Sequence, residues 1–101
     1  MSNEMVAQIA GAVAAAEAHT RSKAARRVMR FLLTNPGAMT HEVARACAIS
    51  NVSCAAGYAR PALRYQGFDI VAELPDRPVV NRFGERSQVH EWWIRPLEGQ
   101  P

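Results

Sequence analysis

MTHEVARACAISNVSCAAGYARPALRYQ, residues Met39 to Gln66, reads as a short helix, a three-residue turn and a second helix. Thr40 is placed to cap the first helix, because its hydroxyl can accept from a backbone N–H that has no intrahelical partner. Val43, Ala44 and Cys47 supply a small apolar face. Ala48-Ile49-Ser50 then breaks the pattern, with Ile49 directed inward and Ser50 offering a second cap. Beyond it Val52, Ala56, Ala59 and Leu63 recur at spacings of 4, 3 and 4, the stripe of a buried helix face. Pro61 falls inside this helix, where its ring crowds the carbonyl of residue 57 and one hydrogen bond is lost. Because residue 57 is Gly57, there is room for a bend. The expectation is either a kinked helix from about Asn51 to Gln66 or two short helices meeting near Ala59-Arg60.

Working outward, the period changes after Gly67. Phe68 to Leu74 alternates as a strand, Pro75-Asp76-Arg77-Pro78 turns, and Gln88 to Arg95 forms a second β-rich run. Trp92 and Trp93 point to opposite faces of that run, so one belongs in the core. Upstream, Ser22 caps a helix running to about Thr34, with Ala24, Val28, Phe31 and Leu32 facing inward and Lys23, Arg26, Arg27 and Arg30 outward. Asn35-Pro36-Gly37 stops it. Residues Met1 to His19 are alanine-rich and helical by propensity, with Met5, Ile9, Ala12 and Ala16 on one side. That narrow stripe could cover the domain, pair with a second copy, or fray.

Two short helices joined by a tight turn make a helix-turn-helix, and its continuation into a hairpin resembles the winged-helix family of DNA-binding domains. The resemblance spans roughly Ser22 to Leu97 and lies in the order of elements. It implies that the second helix of the motif reads the major groove of double-stranded DNA. The hairpin loop would touch the backbone or minor groove, and Ala38-Met39 would complete a three-stranded sheet. The expected fold class is therefore α+β: a winged helix-turn-helix with a three-helix core, a C-terminal β-hairpin wing and an N-terminal Ala-rich helix. Residues 1–20 form the added helix, a candidate dimerisation segment; 21–97 form the winged-helix domain; 98–101 form a disordered tail. Added helices often dimerise such domains, which makes a homodimer the attractive assembly.

With Val52, Ala56, Ala59 and Leu63 buried, Ser53, Gly57, Arg60 and Arg64 cluster on one flank, and Asn51, Tyr58 and Tyr65 on the other. The first flank is the better DNA face: arginine can donate two hydrogen bonds to guanine, and glycine lets backbones approach. Asn51 and Ser53 lie near the helix N-terminus, which suits phosphate. Tyr65 is assigned to packing beneath the wing or against the first helix. The wing candidate, Arg77 to Ser87, is too long for a tight turn, and Arg82 and Arg86 are its DNA contacts, with Asn81 as a hydrogen-bonding partner. Phe83 could be a wedge, but an anchor folding the loop onto the body is the preferred reading.

Composition narrows the function classes. The 101 residues carry a net charge of +3, with 49% apolar and 21% charged residues, which fits one soluble globular domain. The apolar run at the N-terminus is interrupted by Gln8 and Glu17, so neither a signal peptide nor a membrane span is expected, and cytoplasm is the default location. Charge is unevenly distributed. Arg21 to Thr34 holds five basic and no acidic residues, whereas from Gly67 onward four arginines face six carboxylates. The basic field thus lies on the helical half, as phosphate binding requires, although a solvated helix face would carry the same residues. Cys47 and Cys54 form no disulfide framework. A zinc site recruiting His41 lacks ligand spacing, and reduced, buried or half-buried thiols are the preferred reading. No catalytic motif occurs, so no catalytic residue, metal or cofactor is expected. Two functions remain. The first is a small sequence-specific DNA-binding protein, a transcriptional regulator acting by operator occupancy. The second is a winged-helix interaction module, an accessory or inhibitory protein bound to a larger nucleoprotein complex.

Overall fold

A computed structural model of the chain describes residues 3–77, 79–87 (the backbone alone at 86 and 87) and 89–97. Helices α1 (Asn3–Ala18) and α2 (Lys23–Thr34), strand β1 (Ala38–Met39), helices α3 (Thr40–Cys47) and α4 (Val52–Tyr65), and strands β2 (Phe68–Glu73), β3 (Val79–Val80), β4 (Arg86–Ser87) and β5 (Glu91–Pro96) follow in that order. The α+β class, the four helices and strands β1 and β2 are as expected, whereas β3 and β4 fall inside the stretch read as a loop and β5 runs Glu91–Pro96. A three-stranded antiparallel sheet of order β1-β5-β2 closes one side, and β3 and β4 pair separately as a small hairpin. Ile70 stands opposite Ile94 and Val71 opposite Trp93. Residues 98–101, expected to be a disordered tail, and Pro78 and Gln88 lie outside the described residues.

The core forms where α4 meets α2, β2 and α1. Val52, Ala56, Ala59 and Leu63 are buried as their spacing predicts, and Ala55 joins them. From α2, Val28 and Leu32 are buried together with Ala25 and Met29, while Phe31 packs at the margin. Ile70, Trp92 and Ile94 supply the sheet's contribution. The stripe of α1 is absorbed by this same core: Ile9, Ala12, Val13 and Ala16 are buried within the chain, and Met5 packs beside them. Of the three roles open to that helix, covering its own domain is the one observed, and these side chains are not presented to a second copy. An ion pair ties α1 to α2, and a local hydrogen bond closes its C-terminal end. Arg30 donates from Nε and Nη2 to the Glu17 carboxylate at 2.7 and 2.9 Å. The buried Thr20 hydroxyl donates to the Ala16 carbonyl at 2.7 Å.

Three local expectations change. Ser22 caps α2 as predicted, accepting from the Ala25 amide at 3.1 Å, but Thr40 does not cap α3. Met39 occupies the cap position, and Glu42 reaches back to accept from its amide at 2.9 Å. The Thr40 hydroxyl instead accepts from the indole Nε1 of buried Trp92 at 2.8 Å, a bond across 52 residues of sequence. Likewise Asn51, not Ser50, caps α4, its Oδ1 accepting from the Cys54 amide at 2.9 Å. The amide oxygen satisfies the same orphan donor one residue later in the chain. Finally, α4 runs unbroken through Pro61 to Tyr65, so the two-helix alternative does not occur. Pro61 and Gly57 both lie on the exposed side, where water can serve the carbonyl that proline leaves without a donor.

The turn between α3 and α4 depends on Ala48 in the left-handed region, at φ 54°. Its amide donates to the end of α3 and the Ile49 amide donates to the Ala44 carbonyl at 3.0 Å. Gly37 is also left-handed, at φ 82°, and the Trp93 ring lies so close that an added Cβ would stand 2.7 Å from it.

Two stability predictions follow from these contacts. A left-handed alanine costs about 1–2 kcal/mol and glycine's extra unfolded entropy about 0.5–1 kcal/mol, so Ala48→Gly is expected to stabilise the domain by roughly 0.5–1 kcal/mol. Urea unfolding measures this, and a loss of stability would contradict the strain. Thr40→Val leaves a buried indole N–H without its acceptor and is expected to cost about 1–3 kcal/mol in the same assay.

Candidate nucleic-acid interface

The exposed side of α4 carries Ser53, Cys54, Gly57, Tyr58, Pro61, Arg64 and Tyr65, with Asn51 at its cap. Tyr65 is 88% exposed and Tyr58 64% exposed. The expectation that Tyr65 packs beneath the wing is therefore overturned: α4 turns its alanines to the core, and both tyrosines are left in solvent. Ser53 and Gly57 are exposed as expected. Above the N-terminal half of α4 lies an open cleft of about 310 Å³, lined by Ser22 and Ala24 from the start of α2, the turn from Ala48 to Asn51, and Cys54, Ala55 and Tyr58.

Arg60 and Arg64 are brought together, and what joins them is Asp69 on β2. Arg64 Nη2 donates to Asp69 Oδ2 at 3.1 Å, and Arg60 Nε stands 3.6 Å from Asp69 Oδ1. Arg60 Nε also donates to the Ile70 carbonyl at 3.2 Å, while Asp69 Oδ1 accepts from the Ile70 amide at 2.8 Å. β2 is the edge of its sheet, so these contacts occupy both backbone groups that Ile70 would otherwise offer to a further strand. Arg60 is thereby committed to sealing a sheet edge, whereas Arg64 keeps more than half its side chain in solvent. Sequence reasoning placed both on one flank of α4 but could not see a carboxylate waiting there.

The rear face of the sheet holds a second ionic group. Arg95 donates to Glu73 through Nε and Nη2, each at 2.8 Å, and lies 4.5 Å from the centre of the Trp93 ring. Hydrogen bonding to Arg95 holds the Glu73 carboxyl below the usual carboxylate range and raises Arg95 in turn. This face encloses an open cleft of about 450 Å³, in which Asp69, Glu73 and Arg95 already have partners among themselves and α4.

The hairpin is tighter than the sequence suggests. Val79 and Val80 pair with Ser87 and Arg86, and the chain reverses within Asn81 to Glu85. Asn81 organises the tip: its Oδ1 accepts from the amides of Phe83 and Glu85 at 2.9 and 3.0 Å, and Gly84 takes φ 77°. Asn81 is thus spent on its own turn. Phe83 does not anchor the loop; it is 70% exposed, with the Arg82 guanidinium 4.9 Å from its ring centre. Arg86 lies on β4, and its side chain is outside those described.

Along α2, Lys23, Arg26, Arg27 and Arg30 line one shallow cleft of about 260 Å³. Arg26 Nη1 donates to the Thr20 and Arg21 carbonyls at 2.6 and 3.2 Å, and Arg27 Nε donates to the Cys47 carbonyl at 2.8 Å. Among the described residues, no group of three or more histidine, cysteine or acidic side chains is disposed to hold a metal ion. No described helix is long and apolar enough to cross a membrane. No family model, no curated protein and no solved structure matches this chain.

The two thiols differ sharply. Cys47 is buried, and burial pushes its pKa up against the opposing charge of Arg27; Cys54 is exposed on α4. A thiol-specific disulfide reagent at neutral pH is expected to modify Cys54 alone in the native protein and both cysteines after unfolding. Fast native reaction of both would contradict the burial of Cys47.

Proposed function

We propose that this chain is a DNA-binding domain of the winged-helix type, a small sequence-specific transcriptional regulator acting by occupancy of its operator. The observation that carries the reading is the exposed face of α4. This helix buries its alanine side and presents glycine, serine and a capping asparagine near its N-terminus, with Arg64 the one cation on that exposed side. Such a face suits close approach to base edges in a major groove. The sheet of order β1-β5-β2, formed by one strand before the two helices and two after them, and a separate hairpin with Arg82 and Phe83 at its tip, support the same reading. Within it, Asn51, Ser53 and Gly57 meet the groove, and Arg64 exchanges Asp69 for DNA. Arg82 and Arg86 hold the flanking backbone, and Arg60 acts from behind by bracing β2.

A second reading has a specific observation in its favour. Tyr58, Tyr65, Leu74, Val80 and Phe83 are all more than half exposed, a supply of apolar surface that suits a protein partner. In that case the domain is an interaction module attached to a larger nucleoprotein complex.

Duplex DNA decides between them. Fluorescence anisotropy with a random-sequence duplex is expected to show binding that weakens steeply as salt rises, and selection from a random pool should enrich one sequence. Against the enriched site, Arg64→Ala is expected to cost ~1–3 kcal/mol of discrimination if its contact is bidentate to guanine. Arg82→Ala should weaken all sequences alike. Absence of duplex binding at low salt would overturn the DNA reading and favour the interaction module.

A further inference from the structure

The face of α4 that suits a groove is poor in cations. Arg64 is the single basic residue on its exposed side, and it is paired with Asp69. A helix lying in a major groove runs between two phosphate backbones whose charge must be met from somewhere. The densest described group of cations is the row on α2. Its four members are not equivalent. Arg30 is neutralised by Glu17 through two hydrogen bonds. Arg26 and Arg27 donate only to backbone carbonyls, which orient a guanidinium without cancelling its charge. The Lys23 side chain makes no hydrogen bond or ion pair among the described residues.

Position adds to charge. Arg27 is tied to the Cys47 carbonyl, the last residue of α3, directly before the turn that leads into α4. Lys23 is the first residue of α2, between Ser22 and Ala24, which share one cleft with Asn51, Cys54 and Tyr58. The start of α2 and the start of α4 therefore border one concavity, while Lys23, Arg26 and Arg27 line a separate shallow cleft on the same helix.

We propose that Lys23 and Arg27, with Arg26 beside them, form a backbone clamp on α2 that grips the phosphates of the DNA strand passing the N-terminal end of α4. The clamp is pre-formed, since Arg27 is already held by a backbone carbonyl, and it supplies the affinity that α4 lacks. Arg30 stands in the same row but takes no phosphate, because two hydrogen bonds hold it to Glu17 where a single one joins Arg64 to Asp69. This rests on the DNA reading above and assigns within it the source of sequence-independent binding.

The test compares three variants by duplex binding over a range of salt concentrations: Lys23→Gln, the double variant Lys23→Gln/Arg27→Gln, and Arg30→Gln. Each lost phosphate contact lowers the salt slope of log K by about 0.9. The double variant is expected to lose about two units of slope, Lys23→Gln about one, and Arg30→Gln none, although it too removes a positive charge. Lys23→Gln disturbs no internal contact, so it carries the test if the double variant folds poorly, as judged by circular dichroism. Wild-type binding with an unchanged slope in the Lys23 and double variants would overturn the clamp and leave the DNA reading standing. A wild-type chain that ignores duplex at low salt would overturn both, and capture of an acidic peptide by the same row would then identify a protein partner.

Discussion

The burial of one side of α4 in small side chains is the constraint on which the structure depends. Ala55, Ala56 and Ala59, flanked by Val52 and Leu63, face α2, α1 and β2 together. Alanine leaves the helix surface almost smooth, so three elements close on it at short range, and the bulk that fills the core comes from the partners: Met29, Leu32, Val13 and Ile70. Because cores are close-packed, such a site has little room for an enlarged side chain. Once this side is fixed inward, the rest of α4 has no choice. Ser53, Gly57, Tyr58 and Tyr65 face solvent because the alanines do not.

A second theme is where the arginines go. Arg26 and Arg27 close helix junctions through carbonyls, Arg30 straps α1 to α2, Arg60 covers the edge of β2, and Arg95 bridges the rear of the sheet to Glu73. In each case a planar, permanently charged donor with several N–H groups meets backbone or carboxylate acceptors that helix ends and sheet edges leave open. Counting basic residues therefore overstates the charge available to a ligand. Charge survives where the partner is only a carbonyl, at Arg26 and Arg27 beside Lys23, and at Arg82 on the hairpin tip, while the outer face of α4 carries the single cation Arg64.

The hairpin shows the same division between holding and presenting. Asn81 folds back onto the amides of its own turn and Gly84 accepts the positive φ, so the tip is shaped by local chemistry. Arg82 and Phe83 are thereby displayed, stacked on one another and facing water. An exposed aromatic beside a guanidinium is as suited to a nucleic-acid groove as to an apolar protein surface, which is why binding to duplex, and not the fold, separates the two functions.

The sequence by itself determined the elements and most of the core. Spacings of 4, 3 and 4 marked the buried line of α4, Ser22 marked the start of α2, Asn35-Pro36-Gly37 its end, and alternation marked β2. These are local signals, because periodicity and caps are properties of a few consecutive residues. Only the tertiary structure decided the partners. Thr40 looked like a cap until Trp92, 52 residues away, claimed its hydroxyl. Arg60 and Arg64 share a flank of α4 by their spacing, but only the fold shows that β2 brings Asp69 beside both. The stripe of α1 left three roles open until the domain's own core absorbed it. Phe83 looked like an anchor, but the tight turn at Asn81 holds it away from the body. Each of these outcomes depends on which surface lies opposite, and that is set by packing between elements distant in sequence.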